Sequence, residues 1–142
     1  MVEDNHWVIH THKAIARAQE LLVLIVDMET GQRGFLLTGD DEFLEPYELA
    51  IRVWDQKLST LSYQVRDNPP QVERLKVIDK LLQSWLFTSG RHEIEQRRLI
   101  QSDQASLNTV INLVKEETGK NLIDQIRVQL SDFIEVEETL ID

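Results

Sequence analysis

Apolar residues recur along most of the chain at alternating steps of three and four residues, the spacing that places them on one side of an α-helix. The few glycines and prolines, five and three in number, fall where this spacing breaks, so they separate helices from one another. The pattern therefore predicts an all-α fold.

The first predicted helix runs from about Asn5 to about Thr38, and Gly39 supplies its C-terminal stop. At ~1.5 Å per residue it is about 50 Å long, a length suited to a helical bundle. Glu29 and Gln32 interrupt its largely apolar row. The predicted inward row is Val8, Thr11, Ile15, Ala18, Leu22, Ile25, Glu29, Gln32 and Leu36.

The second predicted helix begins around Glu45 and ends near Arg66, and its row has no polar interruption. Asn68-Pro69-Pro70 then forms a tight turn, because each proline disfavours α geometry in the residue before it. The inward row is Leu44, Tyr47, Ile51, Trp54, Leu58, Leu61 and Val65.

The third predicted helix runs from about Pro70 to about Gln101, and its inner row turns polar in the second half. That row is Leu75, Ile78, Leu82, Trp85, Ser89, His92, Gln96 and Leu99. Ser102-Asp103 can cap a fourth helix from about Gln104 to the end of the chain. There Leu107, Ile111 and Val114 follow one phase, and Ile123, Ile126, Leu130, Phe133 and Leu140 follow another.

This change of phase near Gly119 predicts one long, kinked helix, with a true break as the alternative. Short turns between long helices force neighbours to run antiparallel. We therefore expect a single domain over residues 5–142, an antiparallel up-down-up-down four-helix bundle with long first and last helices. Its two ends share one pole.

The charge balance excludes several classes of partner. The 142 residues carry 25 acidic against 15 basic side chains, a formal net charge of −10, so attraction to nucleic acid or to an anionic membrane surface is not expected. There is no cysteine, which removes disulfides, thiol catalysis and cysteine-ligated metals. The longest apolar run, Leu21 to Val26, is far short of the ~20 residues needed to cross a bilayer. The chain is expected to be soluble as given, and it could also be a segment from between two membrane spans.

Two segments resemble a known family. The run from Glu29 to Gly39 reads ETGQRGFLLTG, and Phe43-Leu44-Glu45-Pro46-Tyr47 follows it. Together they closely resemble the signature of the third type of CHASE domain, the cyclase/histidine-kinase-associated sensory extracellular domain. Further matching residues are Trp7, His10, Thr11, Gly119, Lys120, Asp124, Ile126, Arg127, Glu137 and Leu140. Leu122-Ile123 stands where the family more usually has Met before the Asp, a mild departure.

The resemblance implies an extracytoplasmic four-helix sensor placed between two transmembrane helices. It further implies a cytoplasmic output, with a histidine kinase as first choice and a cyclase or chemotaxis receptor as alternatives, and a homodimeric full-length receptor. A small molecule or a physical stimulus would shift the membrane-connected helices. The competing class is a free-standing soluble helical bundle that binds other proteins.

A polar layer is expected where the first and third helices lie at the same height, formed by Glu29, Gln32, Arg33, Ser89, His92 and Gln96. Such a layer could bind a carboxylate-bearing or otherwise anionic ligand through Arg33. Alternatively, Glu29 and Arg33 form an ion pair within the first helix that fixes helix register, which is the preferred interpretation. Gly31 and Gly34 are interpreted as sites where a neighbouring helix approaches closely.

Asp124 and Arg127 are candidates for pairs between the first and last helices, opposite Ala16 to Gln19 and within reach of Arg17 or Glu20. Such pairs, together with Glu137, could set the axial position of the two membrane-connected helices. The alternative is a solvated surface pair worth ~0–1 kcal/mol.

No cofactor, metal or catalytic set is expected in the chain. His6 and His10 have the i, i+4 spacing of two metal ligands, but no acid follows at a spacing known for hydrolytic zinc sites. Glu3 and His6 give one Glu-x-x-His spacing without a second copy, which argues against a di-iron enzyme.

Overall fold

The protein is described by a computed structural model. It describes residues 2–100, 104–115 and 117–141, and within them the side chains of residues 6–100, 108–115 and 119–141. The helices are α1 (Val2–Thr38), α2 (Leu44–Gln64), α3 (Pro69–Trp85), α4 (His92–Leu99), α5 (Gln104–Val114) and α6 (Glu117–Thr139). A short 3-10 turn at Asp41–Phe43 precedes α2, and a π-helical segment at Leu86–Arg91 joins α3 to α4.

These helices form the predicted all-α, antiparallel four-helix bundle. Its four rods are α1, α2, the run α3–π–α4, and the pair α5 and α6. Lys57 of α2 contacts Glu20 of α1 at 3.1 Å, and His10 of α1 contacts Gln64 of α2 at 2.7 Å, so these two rods run in opposite directions. The third and fourth rods are also antiparallel, since Gln71 reaches Glu137 while Gly119 packs on Ser89.

Both predicted turns between the first three rods are confirmed. Gly39 has φ +70°, a conformation that L side chains rarely adopt, and its N–H closes the end of α1 on the carbonyl of Phe35 at 2.7 Å. Asp40 then accepts a hydrogen bond from the N–H of Glu42 at 2.9 Å. At the other turn, the carbonyl of Asn68 accepts from Gln71 at 3.0 Å, and Pro69 and Pro70 occupy the helix start, where a missing N–H costs nothing.

The predicted inward row of α1 is half right. Thr11, Ala18, Ile25, Gln32 and Leu36 are buried as expected. Between them the structure buries Ala14, Leu21, Met28 and Phe35, whereas Ile15, Leu22 and Glu29 lie at the margin. The predicted row and the observed row both alternate steps of three and four residues. They share every second member, and the members between differ by one position. The dense run of apolar residues in this helix fits either row, so its spacing alone could not choose between them.

The π-helical segment corrects the inner row of the third rod. A π turn holds one more residue than an α turn, so every later side chain is displaced by one position around the helix. Glu93 and Ile94 are buried, whereas His92 and Leu99, both placed inside by the sequence, are exposed. The row that starts at Gln71 and Leu75 therefore continues to Glu93.

The fourth rod follows the alternative of a break. Helix α5 ends at Val114, Lys115 lies in a turn, and α6 begins at Glu117, just before Gly119. Two residues predicted to face inwards do not. Ile111 is 39% exposed, and Val110 is buried in its place. Leu140 lies beyond the end of α6 and is 38% exposed. The cap Ser102-Asp103 and the side chain of Leu107 lie outside the described residues.

The chain begins and ends at the same pole. The indole Nε1 of Trp7 donates a hydrogen bond to the carbonyl of Leu140 at 3.2 Å, although 133 residues separate them in sequence. Within the ranges that the structure describes, no helix is both long enough and apolar enough to cross a membrane.

Candidate functional site

A buried polar layer links α1 to the third rod. Gln32, which is 5% exposed, donates from Nε2 to Oε1 of Glu93 at 2.8 Å and to the carbonyl of Ser89 at 3.3 Å. Glu93 and Ser89 are buried as well. Ser89 and Glu93 flank the end of the π-helical segment, which brings both groups to the side facing Gln32. The layer predicted near Gln32 and Ser89 therefore exists, with Glu93 as the member that sequence reasoning missed.

A cavity of about 320 Å³ adjoins this layer, between α1, the third rod and the junction of α5 with α6. Its inner part contains the buried side chains of Gln32, Trp85 and Glu93. Exposed cationic side chains stand at its outer part. The other lining residues are Glu29, Leu36, Leu113, Val114 and Gly119, and the cations are Arg33, Lys115 and Lys120.

Glu29 does not form the intrahelical pair expected with Arg33. Its Oε1 accepts from Nη2 of Arg127 on α6 at 2.8 Å, and Arg33 is exposed at the edge of the cavity. His92 is exposed and Gln96 half-buried, and neither lines the cavity, because the π turn rotates both away from Gln32. Of the six predicted members, the cavity lining contains Glu29, Gln32 and Arg33.

Arg127 does join the first and last helices, but at a different height from the one expected. It pairs with Glu29 rather than with a residue near Ala16 to Gln19, and Asp124 lies 3.8 Å from Lys120 on its own helix. In the structure Gly119 is level with Ser89, which is level with Gln32, so the fourth rod is displaced along α1.

Glu137 lies in a second buried polar layer, near the pole where the chain begins and ends. Gln71, which is fully buried, donates from Nε2 to Oε2 of Glu137 at 3.0 Å and to the carbonyl of Phe133 at 2.9 Å. Arg74 donates to Oε1 of Gln71 at 2.9 Å. Gln71 was missed, although extending the inner row of the third helix back by one step from Leu75 reaches it.

The two glycines of the sequence signature lie where α1 meets the start of α2, as the close-packing interpretation requires. A Cβ atom on Gly31 would lie 2.8 Å from the carbonyl oxygen of Phe43 and 3.1 Å from the amide nitrogen of Tyr47. A Cβ atom on Gly34 would instead meet the side chain of Phe43, both its ring and its Cβ. The signature residues therefore form the contact that joins the first two helices at the far pole.

Tyr47, the last residue of the signature, lies in the core beside the π-helical segment. Its ring packs edge-on against Trp85 with the centroids 6.3 Å apart, and its hydroxyl group has no hydrogen-bond partner among the described residues. Burial raises the pKa of the Tyr47 hydroxyl from 10.0 to about 12; Arg91 opposes this increase and Glu48 adds to it.

His10, one of the two histidines at the shared pole, makes contacts that need no metal. Its ring stacks on Trp7 with the centroids 5.6 Å apart, and its Nε2 contacts the carbonyl of Gln64. In the described part of the chain, no group of three or more His, Cys, Asp or Glu side chains is placed to hold a metal ion.

Comparison with known protein families gives one match, which spans the bundle. The family model of the CHASE3 domain matches residues 4–142. No curated protein and no solved structure matches the chain significantly.

Proposed function

Because the chain belongs to the CHASE3 domain family, we propose that it is the extracytoplasmic input domain of a transmembrane receptor whose output is a histidine kinase. CHASE3 domains are sensory domains of extracellular type in signalling receptors, and they are not themselves catalytic. The proposal adds the membrane placement, the kind of output and a homodimeric receptor.

The shared pole of the two chain ends carries this proposal. The contact between Trp7 and the carbonyl of Leu140 holds the start of α1 beside the end of α6. Two membrane-spanning helices attached at these positions would enter the membrane side by side. From Val128 to Asp142 there is no Lys or Arg, as is typical of segments that are translocated across a membrane.

Signal relay through α1 and α6 requires that the two helices can be displaced relative to each other. The ion pair of Glu29 with Arg127 connects them near the cavity, and its arginine side chain is 43% exposed. Ion pairs of that kind contribute only ~0–1 kcal/mol, so this connection is weak enough to be broken by a stimulus. A displacement at the cavity would then reach the membrane-proximal ends of both helices.

The first test is the coding sequence of the parent gene on either side of this segment. Two apolar spans of ~20 residues, one on each side, would support the receptor placement and reveal the output domain downstream. Polar flanks on both sides would overturn it, and a free-standing protein-binding bundle would become the leading account.

A further inference from the structure

Helix α1 carries apolar side chains on two opposite sides. One side, which includes Leu21 and Met28, is buried in the core. On the opposite side a second row of residues, again at alternating steps of three and four, is exposed to solvent. Ile9, Val23 and Val26 in this row are 54%, 57% and 40% exposed. We call it the outer row, and its members are Ile9, His12, Ala16, Gln19, Val23 and Val26.

The outward sides of the other long helices have a different character, because charged side chains cover them. These are Glu48, Arg52 and Asp55 on α2, Glu73, Lys76 and Lys80 on α3, and Asp124, Glu135 and Glu138 on α6. The outer row of α1 contains no acidic residue, and its one ionisable member is His12. A helix that is apolar on opposite sides is normally covered on both. The single chain covers one side of α1, which indicates that the other is a contact surface.

An open groove extends this surface towards α6. Its volume is about 640 Å³, and its apolar lining consists of Leu22 and Val26 on α1 and Ile134 on α6. The polar lining residues all belong to α6 and are Arg127, Ser131, Glu135 and Glu138. Val26 belongs to both the outer row and the groove, so the apolar surface is wider than one row of side chains. Contact between two helices requires such width, since each side chain of one helix inserts among four of the other.

We infer that the outer row is the contact between two copies of this chain, with their α1 helices side by side and parallel. This inference rests on the proposed function and deepens it, since the two copies of a homodimeric receptor attach to one membrane at the same pole. A two-fold axis parallel to α1 then places each member of the row opposite its own counterpart. The row has the spacing of a coiled-coil seam, with Ile9, Ala16 and Val23 at one of the two core positions.

Charge favours this face for contact between copies. The formal net charge of −10 makes two copies repel each other, so a contact needs a face on which acids do not meet. Two acids, Glu20 and Asp27, flank the outer row. In a parallel seam they stand opposite Ile15 and Leu22 of the second copy, so no two acids face each other. Glu20 is also paired with Lys57 of its own chain at 3.1 Å.

The test is disulfide cross-linking of single-cysteine variants of the 142-residue chain, which has no cysteine of its own. Ile9→Cys and Val23→Cys lie in the outer row, and Val77→Cys, at a 43% exposed valine on α3, is the matched control. A disulfide requires Cα atoms within about 7 Å, so both outer-row variants should form covalent dimers at least about tenfold faster than the control.

The two outer-row positions also test the direction of the helices. Ile9 and Val23 are about 21 Å apart along α1, so an antiparallel pair can bring one of them against its counterpart but not both. Fast cross-linking at both positions supports the parallel contact. Fast cross-linking at only one of them, or equal rates in all three variants, overturns it.

A charge introduced into the row should separate the copies. In sedimentation equilibrium we expect the parent chain to dimerise with Kd below ~1 mM. Val23→Lys would place two ammonium groups opposite each other and should weaken the dimer about tenfold or more. Val77→Lys should associate like the parent chain, and circular dichroism checks that both variants are folded. A parent chain that stays monomeric at ~1 mM, or a Val23→Lys variant that dimerises as well as the parent, would overturn the assignment and leave the outer row to a different protein.

Failure of this inference can be distinguished from failure of the receptor placement. A negative cross-linking result overturns the contact through α1 and leaves the flanking membrane spans to be found or not. Absence of those spans overturns the receptor placement, and cross-linking at both outer-row positions would then identify a parallel dimer without a membrane.

Discussion

Gln32 and Glu93 are joined inside the bundle by a 2.8 Å hydrogen bond, and Gln32 also donates to the carbonyl of Ser89, four residues before Glu93. The second buried layer repeats this arrangement. Gln71 donates to Glu137 and to the carbonyl of Phe133, again four residues earlier. Each layer thus fastens one rod to another through a glutamine amide that bridges a carboxyl group and a backbone carbonyl.

These two layers constrain how the rods can slide. Apolar contacts are not directional, whereas a buried polar group that loses its one partner costs about 1–3 kcal/mol. The layer that contains Gln32 positions the third rod against α1, and the layer that contains Gln71 positions α6 against α3. The contact between α1 and α6 has no such buried layer among the described residues, which leaves that interface as the one best able to move.

Removal of the amide of Gln71 should destabilise the domain. We expect Gln71→Leu to lower the free energy of unfolding by about 2 kcal/mol, because Glu137, Arg74 and the carbonyl of Phe133 each lose a buried partner. Gln83→Leu, at an exposed position of the same helix, should change it by less than about 0.5 kcal/mol. Urea unfolding of both variants provides the measurement, and equal effects would contradict the buried layer.

Deletion of Phe87 should be tolerated. This residue lies in the π-helical segment and is 74% exposed, and removing one residue from a π turn leaves an α turn while later residues keep their positions around the helix. Deletion of Lys76, which is exposed in the regular part of α3, instead rotates all later side chains by about 100°. We expect cooperative thermal unfolding for the first variant and loss of it for the second. Unfolding of both variants would show that the π turn is not an inserted residue.

The two signature glycines should differ in their response to alanine. In Gly31→Ala the new Cβ meets backbone atoms of Phe43 and Tyr47, and overpacking of ~1–3 kcal/mol should outweigh the gain of ~1 kcal/mol in helix propensity. In Gly34→Ala the Cβ meets only side-chain atoms of Phe43, a residue that is 44% exposed and whose ring can turn away. Chemical denaturation should show a net loss of up to about 2 kcal/mol for the first and a smaller one for the second. The reverse order would be inconsistent with this helix contact.

Stability at high pH should depend on Tyr47. Its pKa is raised from 10.0 to about 12 in the folded state, so above pH 10 the unfolded state loses the proton first and the free energy of unfolding falls as the pH rises towards 12. Tyr47→Phe removes this contribution, and it should not destabilise the domain at neutral pH, since the hydroxyl group has no partner among the described residues. The free energy of unfolding is measured at pH 8 and pH 11. Between these values it should decrease less in Tyr47→Phe than in the parent chain, whereas the exposed control Tyr63→Phe should behave like the parent chain.

Sequence patterns predicted the bundle and its topology because helix boundaries depend on local signals, such as Gly39 and the Pro69-Pro70 pair. They failed where the outcome depends on tertiary contacts. The π turn before His92 leaves the local spacing of apolar residues intact, so nothing in the sequence shows that Glu93 replaces His92 inside. The pairing of Arg127 with Glu29 depends on how far the fourth rod is displaced along α1, a distance that the spacing of apolar residues does not give.

The receptor placement is tested most directly by accessibility of one engineered cysteine in the full-length parent protein. The segment contains no cysteine, and Asp41 is 72% exposed at the pole opposite the chain ends, so Asp41→Cys provides a single site in a parent protein whose other cysteines have been replaced by serine. A membrane-impermeant maleimide should label it in intact cells or spheroplasts as fully as after lysis. Labelling that occurs only after lysis would place the domain in the cytoplasm and contradict the account.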